Sequence, residues 1–257
     1  MLLSRNKVKF LNSLKMKKFR SIHGQYVVEG DKIVREILAH HPLTMRLLVA
    51  TGEWLSCNPV TSRSGNMEIA EADASDFSRI SSLETPPEVM AVMDIPGNTL
   101  EIEVLRNTLT IALDDIRDPG NLGTIIRTAD WFGISNILCS NSCADCYNPK
   151  VVQASMGALP NVSIQYADLK EVLARLSGNE DFTVYGTFLD GQPVFGIQPP
   201  QKGILLFGNE SRVIADDLLP YRTNRITIPP GNAGRQHVES LNVASAVAII
   251  CAVFDKN

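Results

Sequence analysis

The sequence lacks any apolar run of the roughly 18 residues that a membrane-spanning helix requires. Its longest apolar segment is Val243 to Phe254, and we predict that this segment is a buried C-terminal helix. The N-terminus is basic, but it has neither the apolar core nor the small-residue cleavage site of a secretory signal. These absences predict a cytoplasmic protein, although the acid-free N-terminus leaves a targeting peptide open.

The sequence has few cysteines and lacks the paired Cys or His ligands of a structural zinc site. The chain has five cysteines, and this odd number fits a reduced protein better than a disulfide framework. Cys143 and Cys146 form one C-x-x-C pair near Cys139, but no second Cys or His pair at suitable spacing completes a structural zinc site. We therefore predict no metal ion, and ordinary thiols around the end of a strand.

Overall positive charge is also absent, since the formal net charge is −4 at pH 7. The first 28 residues nevertheless hold seven cations and no acid, a block that could follow a phosphate backbone. It could equally be the solvated face of a helix whose other side buries Val8, Leu11, Leu14 and Phe19. The seven cations are Arg5, Lys7, Lys9, Lys15, Lys17, Lys18 and Arg20.

Apolar periodicity divides the chain into two α/β regions. Residues 1–95 are predicted to form a small α/β domain, and Pro96-Gly97-Asn98 begins a polar linker over 96–107. Residues 108–257 alternate strands with helices, which predicts a parallel sheet with helices on both faces. The strands predicted in the first region are 26–29, 45–50, 67–70 and 88–95, with helices at 4–18, 31–39 and 73–83. Those of the second region are 109–113, 136–139, 162–164, 182–187, 203–207 and 225–228, with helices at 122–132, 150–156, 169–176 and 214–218, and a final apolar helix.

Three of these strand ends are rich in glycine, asparagine and charge, and ligands of open parallel sheets bind beyond such ends. The first is LDDIRDPGNLGTIIRTADWFG, residues 113–133. Asn121 is a candidate helix N-cap, and Arg127 follows within two turns, so we expect both to face one cleft. A guanidinium near a helix N-terminus suits an oxyanion or a phosphate. The alternative is an ordinary capped helix whose arginine pairs with Asp114 or Asp115.

The second and third strand ends carry further polar groups. The second ends in Gly208-Asn209-Glu210, where glycine lets the backbone approach a ligand and Glu210 could bind a hydroxyl or balance a cation. A tight turn is the alternative. The third runs from Pro229-Pro230-Gly231 to Glu239-Ser240-Leu241-Asn242, where Ser240 is a natural N-cap. We expect Asn242 inside the first helical turn, where asparagine is a mediocre helix former and a side-chain task would explain it.

In this order and on these elements, the three segments resemble the SpoU (TrmH-like) branch of the SPOUT RNA methyltransferases. Residues 109–254 can be followed almost throughout, and 148–162 (NPKVVQASMGALPNV) look like the family's Lys-x-x-x-x-Ser-x-Gly segment. The N-terminal region is similar to the small ribosomal-protein-like domain that often precedes the catalytic domain and grips RNA. The resemblance implies transfer of a methyl group from S-adenosylmethionine to a ribose 2′-hydroxyl of RNA.

The resemblance also implies a deep trefoil knot in the C-terminal domain, and a homodimer through that domain with active sites completed across the interface. The catalytic residues that it implies are Asn121, Arg127, Glu210, Ser240 and Asn242. The implied cofactor-binding residues are Thr187, Phe188, Gly208, Asn209, Ile228 and Leu241. The implied RNA-binding residues are Arg5, Lys7, Lys15, Lys17, Lys18 and Arg20.

Two departures from the family pattern put cofactor affinity in question. Ser211-Arg212-Val213 replaces a glycine-rich turn, and the loop Pro230–Val238 is longer than in many members and contains Arg235 and His237.

Ribosomal RNA is the favoured substrate because the N-terminal domain is complete. The alternatives are a transfer RNA 2′-O-methyltransferase and a non-catalytic RNA-binding protein that lost cofactor binding. Another nucleotide-binding α/β enzyme would need a phosphate-cradling glycine loop, which the sequence lacks.

Overall fold

The computed structural model describes residues 2–60, 67–97, 99–177, 182–198, 200–209, 214–221, 223–231 and 240–255. Contacts between residues divide the chain into two units. Unit 1 comprises Met1–Gly97 and Asp145–Pro160, and unit 2 comprises Asn98–Ala144 and Asn161–Asn257. The chain therefore returns to unit 1 for one segment that the sequence had placed in the second domain.

Unit 1 is built on a mixed sheet of β1 (Gln25–Glu29), β2 (Met45–Ala50), β3 (Glu68–Glu71) and β4 (Val89–Asp94). Among the described residues the strand order is β1-β4-β2-β3. Strand β4 is antiparallel to both of its neighbours, whereas β2 and β3 are parallel. The helices are α1 (Arg5–Ser13), α2 (Lys17–His23), α3 (Asp31–His40), α4 (Gly52–Cys57), α5 (Ala74–Ile80) and α8 (Pro149–Ser155).

Alternation along the strands explains how the core of unit 1 forms. Successive side chains of a strand point to opposite faces, so Leu47 and Val49 of β2 share a face. This face packs in one buried cluster with Leu11 of α1 and Phe77 of α5. The apolar side of α1 is thus used inside the unit, and its charged side remains outside.

The single helix predicted over residues 4–18 is wrong, because the chain turns after Ser13 and starts again at Lys17. Arg20 stabilises this turn: its Nη1 donates to the carbonyls of Leu14 (2.9 Å) and Lys15 (2.8 Å), groups that the end of a helix leaves without intrahelical partners. Its Nη2 pairs with Asp145 at 2.6 Å. Periodicity alone did not reveal this break, since the apolar residues keep helical spacing across it.

Unit 2 contains a sheet of β5 (Leu109–Leu113), β6 (Asn136–Ser140), β7 (Ser163–Ala167), β8 (Val184–Pro193), β9 (Gly203–Phe207) and β10 (Thr223–Thr227). In the described part of the chain its order is β10-β8-β9-β5-β6-β7, and every pairing is parallel. The predicted parallel sheet is therefore confirmed. Strands β5 and β9 read as continuous apolar runs because parallel strands are covered on both faces.

The helices of unit 2 are α6 (Ile102–Asn107), α7 (Pro119–Trp131), α9 (Leu169–Leu176) and α10 (Val243–Phe254). Helix α10 is the predicted buried C-terminal helix, and it packs against α7. Helix α6 lies in the stretch predicted as linker and buries Leu105 in the core of unit 2. The helix predicted at 214–218 is a 3-10 turn, Asp216–Leu218. No described helix is long and apolar enough to cross a membrane.

Candidate functional site

A cavity of about 510 Å³ lies between Thr187–Leu189 in the middle of β8, the ends of β9 and β10, and the start of α10. This is the edge of a parallel sheet at which ligands bind. All six residues predicted to contact a cofactor lie around it, as does Ser240. The described lining residues are Thr187, Phe188, Leu189, Phe207, Gly208, Asn209, Ile226, Thr227, Ile228, Pro229, Pro230, Gly231, Ser240, Leu241, Val243, Ala246 and Ile250.

The lining is largely apolar, and two of its polar side chains are engaged with backbone. The Thr187 hydroxyl donates to the carbonyl of Leu206 (3.2 Å), and Asn209 Nδ2 donates to the carbonyl of Asp115 (2.9 Å). These two residues therefore stabilise the walls, while backbone groups and apolar surfaces are left to contact a ligand. Such a site suits a ligand that is held by shape and main-chain hydrogen bonds.

Arg225 packs against Phe188, which lines the cavity. No motif in the sequence pointed to Arg225. Its guanidinium carbon lies 3.7 Å from the centre of the Phe188 ring, a cation–π contact. Its Nη2 also pairs with Asp190 Oδ1 at 2.5 Å, and this hydrogen bond lowers the pKa of Asp190. Gly191 permits the close approach of the two strands, because a Cβ there would lie 2.7 Å from the Arg225 carbonyl oxygen.

The first and third sequence segments meet through two asparagines. Asn242 Nδ2 donates to Asn121 Oδ1 at 2.9 Å, although the residues are far apart in the chain. Asn121 is not the N-cap that the sequence predicted. Asp118 is the N-cap of α7 and accepts from the Asn121 amide at 2.7 Å, because Pro119 begins that helix two residues earlier than Asn121.

Asn242, rather than Ser240, is the N-cap of α10 and accepts from the amides of Ala244 (2.9 Å) and Ser245 (3.4 Å). The expectation that Asn242 lies inside the first turn is therefore wrong. Its residue type is explained by capping. Capping uses its Oδ1, so its Nδ2 remains available to donate to Asn121.

Arg127 lies on the exposed side of α7, on one stripe with Thr124 and Trp131. At 3.6 residues per turn, Arg127 and Asn121 point about 120° apart around the helix axis, so they lie on different faces of α7. Arg127 makes no ion pair or hydrogen bond within the part of the chain that the structure describes. Asp115 instead pairs with Arg117 at 2.7 Å, so the pairing considered as an alternative for Arg127 is not formed.

Asp114 is the other acid considered for Arg127. Its Oδ2 accepts from the Ala215 amide at 3.1 Å, and burial raises its pKa.

The turn between β5 and α7 is held by a cysteine that sequence reasoning took for an ordinary thiol. Cys143 Sγ accepts from the Ile116 amide and donates to the Leu113 carbonyl, both at 3.3 Å. A hydrogen bond from Cys139 is the main cause that lowers the pKa of Cys143 to about 7. Asp115 in this turn has a positive φ of 59°.

No group of acids, cysteines and histidines suited to a metal ion occurs among the described residues.

The cations of the N-terminus fall into two sets. Lys7 pairs with Glu68, Lys15 donates to the Ser81 carbonyl at 2.9 Å, and Arg20 is only 3% exposed. The prediction that Arg20 contacts RNA is corrected, because its guanidinium is buried against Asp145 and two carbonyls. Arg5, Lys17 and Lys18 are exposed, as is Lys9.

Several predicted features lie outside the described residues. They are Glu210, the altered turn Ser211–Val213, Glu239, and Arg235 and His237 of the long loop.

Comparisons with known proteins agree on one family for this chain. A family model described as the SpoU rRNA Methylase family matches residues 108–252, and one described as the MRM3-like substrate binding domain matches residues 5–91. The chain is 31% identical over 246 residues to the 23S rRNA (guanosine(2553)-2'-O)-methyltransferase RlmP of Bacillus subtilis, covering 95% of this chain and 94% of that protein.

Solved structures agree over nearly the whole chain. A TrmH-family protein from Porphyromonas gingivalis superposes with a TM-score of 0.86 and 40% identity, covering 99% of this chain and 98% of the other. The SpoU methyltransferase AviRb from Streptomyces viridochromogenes, solved with AdoMet, gives a TM-score of 0.81 and 25% identity, covering 98% of each chain.

Proposed function

Because this chain belongs to the SpoU rRNA Methylase family, as the resemblance in its sequence predicted, we propose that it methylates a ribose 2′-hydroxyl of ribosomal RNA. The methyl donor is S-adenosylmethionine. The observation that carries the proposal is the cavity between β8 and the ends of β9 and β10, around which all six predicted cofactor residues lie. The name of the Bacillus relative and the cofactor in the AviRb structure support the same chemistry.

The cavity fits the cofactor in size and in chemistry. Its volume of about 510 Å³ lies in the range usual for ligands of this size. An adenosine carries no phosphate when its 5′ carbon bears a sulfonium, so a phosphate-cradling loop is not required. Gly208, Ile228 and Leu241 would contact it through backbone and apolar groups. When bound, the cofactor supplies an electrophilic methyl group on a positively charged sulfur.

Arg127 is assigned to the substrate phosphate. A ribose hydroxyl is a poor nucleophile at neutral pH and must lose its proton as it attacks. A guanidinium stays protonated in proteins, so Arg127 holds and orients the phosphate beside the hydroxyl and does not act as the base. A phosphate oxygen or water takes the proton.

Asn121, Asn242 and Ser240 position the ribose, and Glu210 is assigned to the same group. The hydrogen bond between Asn121 and Asn242 supports this assignment, because it places amide groups from two segments side by side. Positioning of reacting groups can contribute about 7–11 kcal/mol to lowering a barrier. Positioning is the contribution that these residues would make to the reaction.

We infer a homodimer formed through the C-terminal domain. Arg127 is not among the described residues that line the cavity of its own chain, so a second copy would bring its arginine to that cavity. Trp131, 82% exposed on the same stripe of α7, would lie in that interface, and aromatic residues are enriched at interfaces. The deep trefoil knot and a cytoplasmic location remain part of the proposal.

The division into an RNA-binding domain over 1–95, a linker over 96–107 and a catalytic domain over 108–257 is proposed as well. The limits of the two family matches support it.

Titration calorimetry with S-adenosylmethionine tests the proposal against the non-catalytic alternative. We expect heat of binding and competition by S-adenosylhomocysteine. Mapping of 2′-O-methylation in RNA from cells with and without the gene then distinguishes ribosomal from transfer RNA. A chain that binds no cofactor, or a gene whose loss changes only transfer RNA, would overturn the proposed function.

A further inference from the structure

The outer side of α1 and α2 carries cations that the fold leaves accessible. Arg5, Lys9, Lys17 and Lys18 are exposed, and none of the four forms an ion pair with a residue that the structure describes. No acid occurs in the first 28 residues of the sequence. The surface therefore has a local positive field despite the net negative charge of the whole chain, and such a field attracts a phosphate backbone.

An aromatic pair lies among these cations. The rings of Phe10 and His23 meet edge to face, with centroids 5.2 Å apart and planes at 86°. Phe10 is half-buried and packs against the core of unit 1, whereas His23 is exposed. The contact thus anchors an exposed imidazole ring at the end of α2, where Gly24 with φ of +62° ends the helix.

We propose that this surface, the α1–α2 patch (Arg5, Lys9, Phe10, Lys17, Lys18 and His23), binds an unpaired segment of the substrate RNA. His23 stacks on a base, and the four cations follow the backbone. Single-stranded RNA is recognised by aromatic side chains that stack on unpaired bases and by cations along the phosphates. The identity of the partner as RNA rests on the proposed function, whereas the single-stranded state rests on the aromatic pair.

Two other partners fit the patch less well. A paired RNA helix shows its phosphates and riboses but no free base faces, so it would leave His23 without a role. A membrane surface would require an apolar helix face that is free to insert. The apolar face of α1 is instead buried in unit 1 through Val8 and Leu11, and the two exposed apolar side chains at α2, Met16 and Ile22, are too few to form such a face.

Fluorescence anisotropy on the full-length protein tests the proposal with two probes. One is an unstructured RNA of about 12 nucleotides, a length within the site sizes of single-strand binders, and the other is a duplex of the same sequence. His23→Ala should weaken binding of the single strand about tenfold and leave duplex binding nearly unchanged. His23→Phe should restore binding, since it retains an aromatic ring. His40→Ala, which changes another exposed histidine of unit 1, is the matched control.

The cations have a separate readout. Lys17→Gln should weaken binding of both probes and make the single-strand affinity less dependent on salt, by about 0.7 in the logarithmic slope. Lys32→Gln, an exposed lysine of α3, is the control and should do neither. Heat of cofactor binding must be unchanged in every variant, which shows that unit 2 is intact.

The proposal is overturned if His23→Ala binds the single strand like the wild type, or loses both probes equally. It is also overturned if the wild type prefers vesicles of phosphatidylserine and phosphatidylcholine to either RNA. Failure of the proposed function would look different: no cofactor heat and no methyl transfer, with the selective loss in His23→Ala still present.

Discussion

The two units of this protein place their candidate binding groups in opposite ways. In unit 2, the cavity is assembled from the middle of β8, the ends of β9 and β10 and the start of α10, which are distant in sequence. In unit 1, the exposed cations come from one stretch of about 20 residues on two consecutive helices. A ligand enclosed by apolar walls needs tertiary assembly, whereas an extended polyanion needs only a surface of one charge.

The units also differ in how they use buried charge. Unit 1 buries Arg20 against Asp145, and it buries Glu29, which accepts from the Ser82 amide at 3.0 Å. The main core cluster of unit 2 is apolar. Substitutions at the buried charges of unit 1 should therefore mainly lower stability, whereas substitutions around the cavity of unit 2 should mainly change ligand binding or turnover.

The largest expected effect is on turnover in unit 2. Arg127→Ala should reduce methyl transfer to ribosomal RNA by more than about a thousandfold, because Arg127 positions the reacting hydroxyl and positioning can contribute several kcal/mol to lowering the barrier. Cofactor affinity should stay close to that of the wild type, because Arg127 is assigned to the substrate phosphate and not to the cofactor. Radiolabelled methyl transfer and calorimetry measure the two quantities. Arg79→Ala in unit 1 is the control, and an active Arg127→Ala would remove the assigned role.

The next largest effect is on the stability of unit 1. Arg20→Ala leaves Asp145, 16% exposed, without its cation and should cost about 3 kcal/mol of unfolding free energy. Replacing both partners, as in Arg20→Met with Asp145→Leu, should recover part of that loss. Urea unfolding measures stability, and the heat of S-adenosylmethionine binding shows whether unit 2 is folded. Loss of cofactor binding at denaturant concentrations that spare the wild type would show that the two units are not separable in this way.

A smaller effect is expected at the wall of the cavity. Arg225→Ala removes the guanidinium from Phe188, and such a contact contributes on the order of 1 kcal/mol. We expect S-adenosylmethionine to bind about fivefold more weakly, with the rate at saturating cofactor unchanged. Arg225→Lys should retain part of the affinity. A lower rate at saturation with unchanged affinity would instead implicate Arg225 in the chemistry.

The smallest effect depends on pH. The pKa of Cys143 is lowered from 9.0 to about 7, so the folded state favours the thiolate more than the unfolded chain does. The resulting stabilisation is present at high pH and is lost as the pH falls through about 7. The difference in unfolding free energy between wild type and Cys143→Ser should grow by about 1 kcal/mol from about pH 6 to about pH 8. Cys57→Ser, at an exposed cysteine, should show no such trend, and a flat difference for Cys143→Ser would contradict the prediction.

Much of unit 2 could be predicted because its elements have strong local patterns. The bounds of β5, β9 and α9 agree with those predicted, since each is a clear apolar run or stripe between breaking residues. Shorter elements were missed. Helices α4 and α6 have only six residues each, too few for a periodic pattern to rise above the surrounding polar sequence.

The start of α7 carries a sequence signal for its N-cap that differs from the residue predicted. Asp118 before Pro119 is a stronger N-cap signature than Asn121, because proline favours the first helical position. At α10, Ser240 and Asn242 are both good caps, and local sequence does not choose between them. The position of a cap is decided by where the rest of the fold lets the helix begin.

By itself, the sequence determined the alternation of strands and helices, the parallel sheet, the buried last helix, the family and the basic N-terminus. These follow from periodicity, composition and local motifs, which are properties of neighbouring residues. Only the tertiary structure decided that Asn121 meets Asn242, that Arg225 lies over Phe188, and that Arg20 is buried while Lys9, Lys17 and Lys18 remain exposed. Each of these depends on contacts between distant residues or on which side of a helix finds a core, and no local pattern encodes either.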